Sequence, residues 1–594
     1  MTPNNAAGPS PASTHASLAT QVAIIGAGPS GLMLAIELGC RGVPCILLDV
    51  NPTAPTSPKA NATSARTMEH YRRRGFAHRV RSAGLAADHP HDVMYCTRLM
   101  GHELARFRIP SRAQAAAQSD FGDYGAGSWP TPELPQRAQQ FYVEAILRDE
   151  LAKYPSVTTL YGWRADDVAQ SADAATVAAS RLAGSAAAPS AGETATITAR
   201  YAVGCDGARS IVRKAIGAQF EGASKEQREF FGGEMLGIQF RSPDLYECLK
   251  HGPLKGRAWQ SWVVNPVQRG ILVAINGVDD FSFGIQLKPG QAPDSVDVDQ
   301  TLRALVADPA QPVPFSYTVT GRRVWTAGYT LVANQYHAGR LFIAGDAAHL
   351  FTPTGGMGYN TAVDDAVNLG WKLAAVCQGW APAALLESYF AERQPIAQRN
   401  TRFARAMADS IGKAALPATM EQDSAEGEEG RHTVGAAMLK HCHAEFNIPG
   451  LQLGLRYQSP IVAKEAGEPP VDLPNRYEPS AYPGCRAPHV ATATAAATPK
   501  GQSGSLLDAF HIGFTLLTFS SATDTTAWLA AAKRRGIPMG VVCHSDPAAH
   551  AVYGADCVLI RPDHHIAWRS LGQGPAPDER AALQVLDMAT GQAG

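Results

Sequence analysis

The sequence predicts an α/β protein of several domains. Residues 22–48 and 341–374 each combine a short apolar strand, a turn that contains glycine, and a helix with one apolar face. Residues 226–320 instead carry successive apolar runs of strand length. At 594 residues the chain is also longer than one hydrophobic core supports, so we expect about two to four domains.

The composition favours small-molecule chemistry. Lys and Arg number 52 against 53 Asp and Glu, so the net charge of -1 provides no basic surface for nucleic acid or an anionic membrane. No apolar run approaches the roughly 20 residues of a membrane-spanning helix. The 10 cysteines form no CxxC pair, which is typical of reduced thiols in a cytoplasm. We predict no metal site, because adjacent His441, Cys442 and His443 cannot all face one ion.

Residues 26–31 predict a dinucleotide-binding turn. Strand 22–25 is followed by Gly26-Ala27-Gly28-Pro29-Ser30-Gly31, a helix, and a second strand that ends in Asp49. The glycines allow a tight turn and the close approach of a pyrophosphate to the helix N-terminus, while the acid accepts hydrogen bonds from ribose hydroxyls. An acid at this place favours FAD or NAD over NADP.

Asp346 is a second predicted ligand group. It follows the strand at 341–344, at the carboxyl end where an open α/β sheet presents its ligands. In the next loop, Gly355, Gly356 and Gly358 let backbone N–H groups approach a ligand closely. The stretch therefore suits a polyol that donates hydrogen bonds, with an anionic ring edge beside it.

Two further segments carry candidate contacts. Arg66 stands near a helix start, where it can clamp a phosphate, and the three arginines at 72–74 are expected on a solvated face. The pair at 206–207, Asp-Gly, follows a predicted strand, with Arg209 and Arg213 one turn apart. An Asp-Gly pair alone is an ordinary turn, but its place after a strand favours a cofactor-facing role.

The chain divides into five predicted parts. They are a disordered tail (1–20), a dinucleotide-binding domain (21–85, 130–225 and 321–410), a substrate domain (86–129 and 226–320), a helical and loop connection (411–480) and a C-terminal α/β domain (481–594). Within the connection, the acidic and glycine-containing residues 421–430 predict an exposed loop. Within the last part, strands are expected at 514–519, 539–543 and 557–560, and a helix near 525–535.

Three motifs, ordered along the chain, resemble the class A flavoprotein monooxygenases, the FAD-dependent aromatic hydroxylases. They are GAGPSGL at 26–32, Asp-Gly at 206–207 and GDAAHLFTPTGGMGYNTAVDDAVNLGWKLA at 345–374. The long extension looks like the phenol hydroxylase branch, with its thioredoxin-like C-terminal domain. The resemblance implies a Rossmann-like FAD-binding domain interleaved with a β-sheet substrate domain, plus a C-terminal thioredoxin-like α/β domain. Because that domain lacks CxxC, we assign it no redox chemistry.

The resemblance also implies a set of cofactor contacts. The matching positions are Gly26, Gly28, Pro29, Ser30, Gly31 and Asp49 for the adenosine end; Arg66, Gln140, Gly345 and Asp346 for the diphosphate and ribityl regions; Pro353, Gly356, Met357 and Gly358 beside the isoalloxazine; and Asp206, Gly207 and Arg213 for the Asp-Gly motif, which in the family serves both FAD and the nicotinamide donor.

The activity implied by the family is aromatic hydroxylation. NADPH or NADH, bound transiently, reduces FAD, O2 adds to give a C4a-hydroperoxyflavin, and its distal oxygen passes to an electron-rich ring carbon. The sequence carries no second GxGxxG unit, which argues against Baeyer–Villiger and N-hydroxylating enzymes with two dinucleotide domains. We expect a small aromatic substrate, a cytoplasmic location and a homodimer, with no nucleic-acid or membrane partner.

One departure leaves the catalytic base unassigned. In some phenol hydroxylases an ionisable residue stands a few places before the motif arginine, but the corresponding residue here is Asn61, whose amide cannot act as a general base. His349, in the sequence GDAAH, is expected to be structural. Two alternatives stay open: an FAD monooxygenase acting on a polyketide- or quinone-like substrate, and a non-catalytic flavin-binding interaction protein.

Overall fold

Strands and helices alternate along most of the chain. The structure, a computed structural model, describes residues 15–57, 59–117, 124, 129–182, 193–224, 226–228, 232–254, 256–307, 309–412, 415–492, 504–571 and 577–592. Within these ranges the strands are β1 (His15–Ile25), β2 (Cys45–Asp49), β3 (Val93–Cys96), β4 (Glu103–Phe107), β5 (Val157–Tyr161), β6 (Trp163–Gln170), β7 (Ala175–Arg181), β8 (Thr194–Gly204), β9 (Phe220–Ala223), β10 (Gly233–Arg241), β11 (Gln260–Val264), β12 (Arg269–Ala274), β13 (Asp280–Gln286), β14 (Thr318–Ala327), β15 (Thr330–Ala333), β16 (His337–Ala338), β17 (Leu341–Ile343), β18 (His349–Leu350), β19 (Ala491–Thr492), β20 (Gly504–Ser505), β21 (Phe514–Thr518), β22 (Met539–Cys543), β23 (Cys557–Ile560) and β24 (Ile566–Arg569). The α-helices are α1 (Pro29–Gly39), α2 (Ala65–Arg73), α3 (Ala77–Ser82), α4 (Arg112–Ala117), α5 (Gln140–Leu151), α6 (Ile211–Ala215), α7 (Leu245–His251), α8 (Val298–Val306), α9 (Met357–Cys377), α10 (Glu387–Ile411), α11 (Ala425–Phe446), α12 (Pro449–Leu453), α13 (Thr526–Arg535), α14 (Pro547–Tyr553) and α15 (Glu579–Ala589).

The first sheet brings four strand ends to one edge. Its order is β16-β17-β8-β1-β2-β5, and β7 joins β6 to β8. Strands β17, β8, β1 and β2 are parallel, and Ile25 pairs with both Leu48 and Gly204, while Ile343 also pairs with Gly204. Because their carboxyl ends align, the turns that follow these four strands meet.

Strand β1 corrects the predicted amino-terminal boundary. It begins at His15, and residues 15–20 pair in parallel with 194–199 of β8. The prediction of a disordered tail is therefore wrong for residues 15–20. This polar segment forms a strand because it pairs with β8, which lies far away in the sequence. Residues 1–14 lie outside the described residues.

The second sheet is mainly antiparallel and lies across that edge. Its order is β14-β10-β13-β12-β11-β3-β4, in which β11 and β3 are parallel. Strands β3 and β4 come from the predicted excursion at 86–129. Strand β14 runs to Ala327, beyond the boundary predicted at 320.

Helix α11 packs against the second sheet and replaces a predicted loop. It begins at Ala425, inside the segment 421–430 for which the sequence predicts an exposed loop. The Ser424 side chain accepts a hydrogen bond from Gly427 N, and Glu426 and Glu428 lie in the first turn. A side-chain cap and acidic residues near the positive end of the helix dipole stabilise this N-terminus, so the acidic run starts a helix.

The C-terminal sheet has the order β22-β21-β23-β24. Strands β21 and β22 are parallel and flank helix α13, while β23 and β24 are antiparallel to their neighbours. The strands and the helix predicted from the sequence in this region are confirmed to within one or two residues.

Buried ion pairs join the C-terminal domain to the first. Arg561 donates to Glu392 Oε1 at 2.6 Å, and Lys372 Nζ lies 2.8 Å from Glu392 Oε2, with all three side chains at 0% exposure. Arg486 pairs with Glu69, also away from solvent. These contacts cross between segments far apart in sequence, so the two domains share one buried polar network. No helix in the described parts of the chain has the length and hydropathy needed to cross a membrane.

Candidate functional site

A cavity of 970 Å³ lies between the aligned strand ends of the first sheet and one face of the second sheet. Of the residues predicted to contact a cofactor, those that line it are Gly26, Gly28, Pro29, Ser30, Asp49, Gln140, Asp206, Gly207, Asp346, Pro353, Gly356, Met357 and Gly358, and Asn61 lines it too. Three predicted motifs that are far apart in sequence thus face one space.

The turn after β1 requires glycine for steric reasons. Gly26 has φ of 103°, and a Cβ there would lie 2.3 Å from the carbonyl oxygen of Cys205. A Cβ at Gly31 would lie 1.9 Å from the carbonyl oxygen of Gly26, so Gly31 closes the turn without lining the cavity. Pro29 is at the first position of α1, whose N-terminus faces the cavity. The turn therefore presents free helical N–H groups and a positive dipole end, which is an arrangement suited to a pyrophosphate.

Asp49 has a second task besides facing the cavity. Its carboxylate accepts hydrogen bonds from Ala27 N at 2.6 Å and from Asn51 N at 2.7 Å. It therefore ties the glycine turn to the end of β2 while lining the adjoining space.

Asp206 and Asp346 present carboxylate oxygens that lack protein partners. Asp206 Oδ2 accepts from Ile211 N at 2.8 Å, but Oδ1 is buried without any hydrogen bond. The Asp346 carboxylate faces the cavity and makes no hydrogen bond to a described residue. Burial raises the pKa of both acids, and for Asp346 the charges of His349, Lys59 and Arg323 oppose that rise. Two such acceptors in one cavity fit a ligand that donates several hydroxyl groups.

The loop between Asp346 and α9 is shaped by two glycines in the left-handed region. Gly355 has φ of 70° and Gly356 of 63°, and a Cβ on Gly356 would approach the Ala62 side chain to 3.2 Å. Gly355 N donates to Glu445 Oε1 at 2.8 Å. Glu445, near the end of α11, lines the cavity, and sequence reasoning missed it because nothing local links residue 445 to the 353–358 loop.

The structure does not place Arg66 or Arg213 at the cavity. Arg66 donates to Glu69 Oε2 at 3.0 Å and to the carbonyl of Asp563 at 2.6 Å, so it is part of the contact with the C-terminal domain. Arg213 donates to the carbonyls of Ala347 and Ala208, and so links the turn that carries Asp346 to the turn that carries Asp206. Arg209, one turn earlier, lines the cavity instead. Arg209, in the turn before α6, thus lines the cavity, whereas Arg213, inside α6, does not.

The glycine and histidine of the GDAAH segment hold the strand-to-helix turn. Gly345 has φ of 63°, does not line the cavity, and its N–H donates to Asp365 Oδ2 at 3.1 Å. His349 Nε2 lies 2.6 Å from the same carboxylate, which also accepts from Arg393 Nε at 2.7 Å, and all three side chains are fully buried. The expectation that His349 is structural agrees with these contacts.

The opposite wall of the cavity is aromatic. Trp259 and Trp262 from the second sheet line it together with Phe446 of α11. Phe281 and Phe283, on strand β13 of the same sheet, are fully buried and do not line it. The cavity is thus polar at the strand ends of the first sheet and apolar across from them.

Comparison with known proteins shows which family the chain belongs to. The sequence pattern of the FAD binding domain family matches residues 19–404, which is more than half of the chain. The chain belongs to this FAD-binding family. The pattern described as aromatic-ring hydroxylase, C-terminal, matches residues 480–593.

Relatives of this FAD-binding family extend over nearly the whole chain. The FAD-dependent monooxygenase apdD of Emericella nidulans is 30% identical, over 92% of this chain and 87% of its own. Phenol 2-monooxygenase of a Pseudomonas species, strain EST1001, is 28% identical over 96% of this chain and 92% of its own. The structure of RebC with bound 7-carboxy-K252c superposes with a TM-score of 0.81 at 30% identity, covering 97% of this chain and all of that one. The predicted membership of the FAD-dependent aromatic-ring monooxygenases, and the α/β fold class, are confirmed.

The residues present fit FAD. The glycine turn and α1 N-terminus suit its pyrophosphate, Asp49 its ribose, and the unpartnered Asp346 and Asp206 oxygens its remaining hydroxyl donors. The Asp346 side chain is exposed within the cavity, so a ligand that enters can reach it.

Proposed function

We propose that this chain is an FAD- and NAD(P)H-dependent monooxygenase that hydroxylates a phenolic or related aromatic compound. The observation that carries the proposal is the two-sided cavity. Its polar end offers the acceptors and helix terminus that a dinucleotide needs, and its other wall offers Trp259, Trp262 and Phe446 to a flat ring. Bound FAD would accept a hydride from NADPH or NADH and activate O2 for insertion into that ring.

The chain's own residues have three tasks in this reaction. Asp346 and Asp206 anchor the cofactor through hydrogen bonds that they accept, and the glycine loop at 353–358 lets backbone approach the flavin ring. The aromatic wall holds the substrate ring beside that loop and displaces water, which would otherwise compete for the activated oxygen. Asn61, which lines the cavity, donates and accepts hydrogen bonds but takes up no proton, so it orients the ring without deprotonating it.

A polyketide- or quinone-like substrate is the second candidate. The cavity extends from the dinucleotide turn to the aromatic wall, where Trp259, Trp262 and Phe446 offer several ring faces to a polycyclic ligand. RebC, with its polycyclic ligand 7-carboxy-K252c, superposes along 97% of this chain, which supports the larger substrate.

Three readouts on the purified holoprotein test the proposal. FAD content should be stoichiometric, a panel of phenols and polycyclic phenols should stimulate NAD(P)H oxidation, and the product mass should rise by one oxygen that derives from labelled O2. Hydroxylation of single-ring phenols alone would favour the first candidate, and of polycyclic compounds alone the second. FAD binding with no stimulated NAD(P)H consumption across the panel would instead support the non-catalytic flavin-binding alternative.

A further inference from the structure

Arg137 differs from the other buried arginines of the described chain. The residue is 5% exposed and lines the cavity. Arg66, Arg393, Arg486 and Arg561 are buried as well, and each pairs with a carboxylate. Arg213 also lacks a carboxylate but donates to two backbone carbonyls outside the cavity. Among the described residues, Arg137 is thus the buried arginine that faces ligand space with its charge unbalanced.

Few protein contacts compensate for burying this charge. Nη2 donates to the Tyr124 hydroxyl at 3.1 Å, while Nε is buried without a hydrogen-bond partner. The guanidinium carbon lies 4.4 Å from the centre of the Trp259 ring. A cation–π contact and one neutral hydrogen bond do not replace the hydration that a guanidinium loses on burial. An anionic ligand group would supply the missing partner.

Gln139 adds a matching acceptor. Residues 137 and 139 are two apart in the segment before α5, and both line the cavity. Gln139 is 3% exposed, and its Oε1 is buried without a hydrogen bond. The two residues therefore bring an unbalanced cation and an unpaired acceptor to the same cavity.

The surroundings of this pair define the rest of the ligand. Trp259, beneath the guanidinium, meets Phe446 edge to face with ring centres 6.2 Å apart, and both line the cavity. A planar ring packs against such a wall, and a carboxylate in the ring plane reaches the fork of an arginine beside it.

We propose that Arg137 and Gln139 form a subsite for an aromatic substrate that carries a carboxylate with a hydroxyl group beside it. The carboxylate oxygens accept from Arg137 Nε and Nη1, and the hydroxyl donates to Gln139 Oε1. This inference rests on the proposed function for the place of the substrate and adds its chemical class. A carboxylate that enters this subsite also turns the ring, so Arg137 fixes which ring carbon faces the cofactor.

Equilibrium binding tests the subsite without turnover. The probes are 1-hydroxy-2-naphthoate and its neutral carboxamide, titrated calorimetrically into FAD-loaded protein in the absence of NAD(P)H. Because hydrogen bonds to a charged group contribute about 1.5–3 kcal/mol, the wild-type protein should bind the carboxylate about 10- to 100-fold more tightly than the amide. Arg137→Gln should bind the two probes with equal affinity. Arg137→Lys keeps the charge but not the forked guanidinium, so it should retain only part of the preference for the carboxylate.

Arg322→Gln is the matched control, because Arg322 lines the same cavity but is exposed. Its carboxylate-to-amide ratio should stay at the wild-type value. Equal binding of the two probes by the wild-type protein, including no binding of either, overturns the proposal, as does a ratio that survives in Arg137→Gln or disappears in Arg322→Gln. If Arg137→Gln does not fold with FAD, the wild-type ratio and Arg137→Lys decide. Hydroxylation of some other aromatic with equal probe binding would refute the subsite alone and leave the proposed function standing.

Discussion

Replacing Asp346 by Asn should separate cofactor binding from folding. The Asp346 carboxylate faces the cavity and makes no hydrogen bond to a described residue, so its replacement removes no hydrogen bond from the apoprotein. In the proposed complex it accepts hydroxyl donors of FAD, and hydrogen bonds to a charged group contribute about 1.5–3 kcal/mol. The Kd for FAD should therefore rise about 10- to 100-fold, as measured by the change in flavin fluorescence on titration.

The apoprotein should keep its stability. Asp346 lines the cavity with an exposed side chain, so in the absence of FAD its replacement by Asn leaves no buried group without a partner. Urea unfolding of the Asp346→Asn apoprotein should therefore match wild type at neutral pH.

Asp365→Asn provides the matched contrast. Asp365 lies 19 positions further on and is paired with Arg393 and His349, so its replacement should destabilise the apoprotein by about 3–5 kcal/mol. The reasoning fails if Asp346→Asn weakens FAD binding less than about threefold, or if it destabilises the apoprotein as much as Asp365→Asn does.

Three more experiments have defined outcomes. Arg561→Met leaves Glu392 with Lys372 alone and removes the guanidinium paired with Asp563, so it should lower the free energy of unfolding by about 3–5 kcal/mol in urea titrations; a change below about 1 kcal/mol would contradict the network. Gly356→Ala and Gly379→Ala, at φ of 63° and 81°, should each lower the free energy of unfolding by roughly 1–2 kcal/mol. Only the alanine at 356 would come into close contact with Ala62, so only that variant should also have reduced FAD content. Equal FAD content in the two variants would contradict this close approach. Burial lowers the pKa of His89 to about 4, so as pH falls from about 6.5 the unfolded chain takes up a proton before the folded protein does, and the wild type loses stability. In His89→Gln this loss between pH 6.5 and pH 4 should be smaller by about 3 kcal/mol. An unchanged acid transition would count against this assignment.

The sequence predicted the parts of the structure that depend on residues close together in the chain. The strand, glycine turn and helix at 22–39 follow from steric rules at Gly26 and Gly31, because each must approach a backbone carbonyl that allows no Cβ. The meeting of Asp49, Asp206 and Asp346 at one edge follows from parallel strands whose carboxyl ends align. These features depend on the spacing of apolar residues and on the positions of a few glycines and acids, and both can be read from the sequence.

The errors arose where orientation depends on tertiary packing. The sequence places Arg66 near a helix start and Arg213 one turn beyond an Asp-Gly pair, but not which side of each helix faces the cavity. Arg66 turns toward Asp563, almost five hundred positions later in the chain, and no local signal carries that contact. Arg137, Gln139 and Glu445 were missed for the same reason, since only the folded cavity distinguishes them from ordinary polar residues.

The ion pairs between the first and last domains bear on how the chain is made. Glu69 and Glu392 leave the ribosome well before Arg486 and Arg561, so the amino-terminal part emerges with carboxylates whose arginine partners do not yet exist. Until those arginines are made, Glu69 has Arg66 and Glu392 has Lys372 as its paired cation. Because domains generally fold in order of synthesis, the buried polar network closes only after the segment with Arg486 and Arg561 is made. A shortened gene that stops before residue 480 would encode a first domain without the arginines of that network.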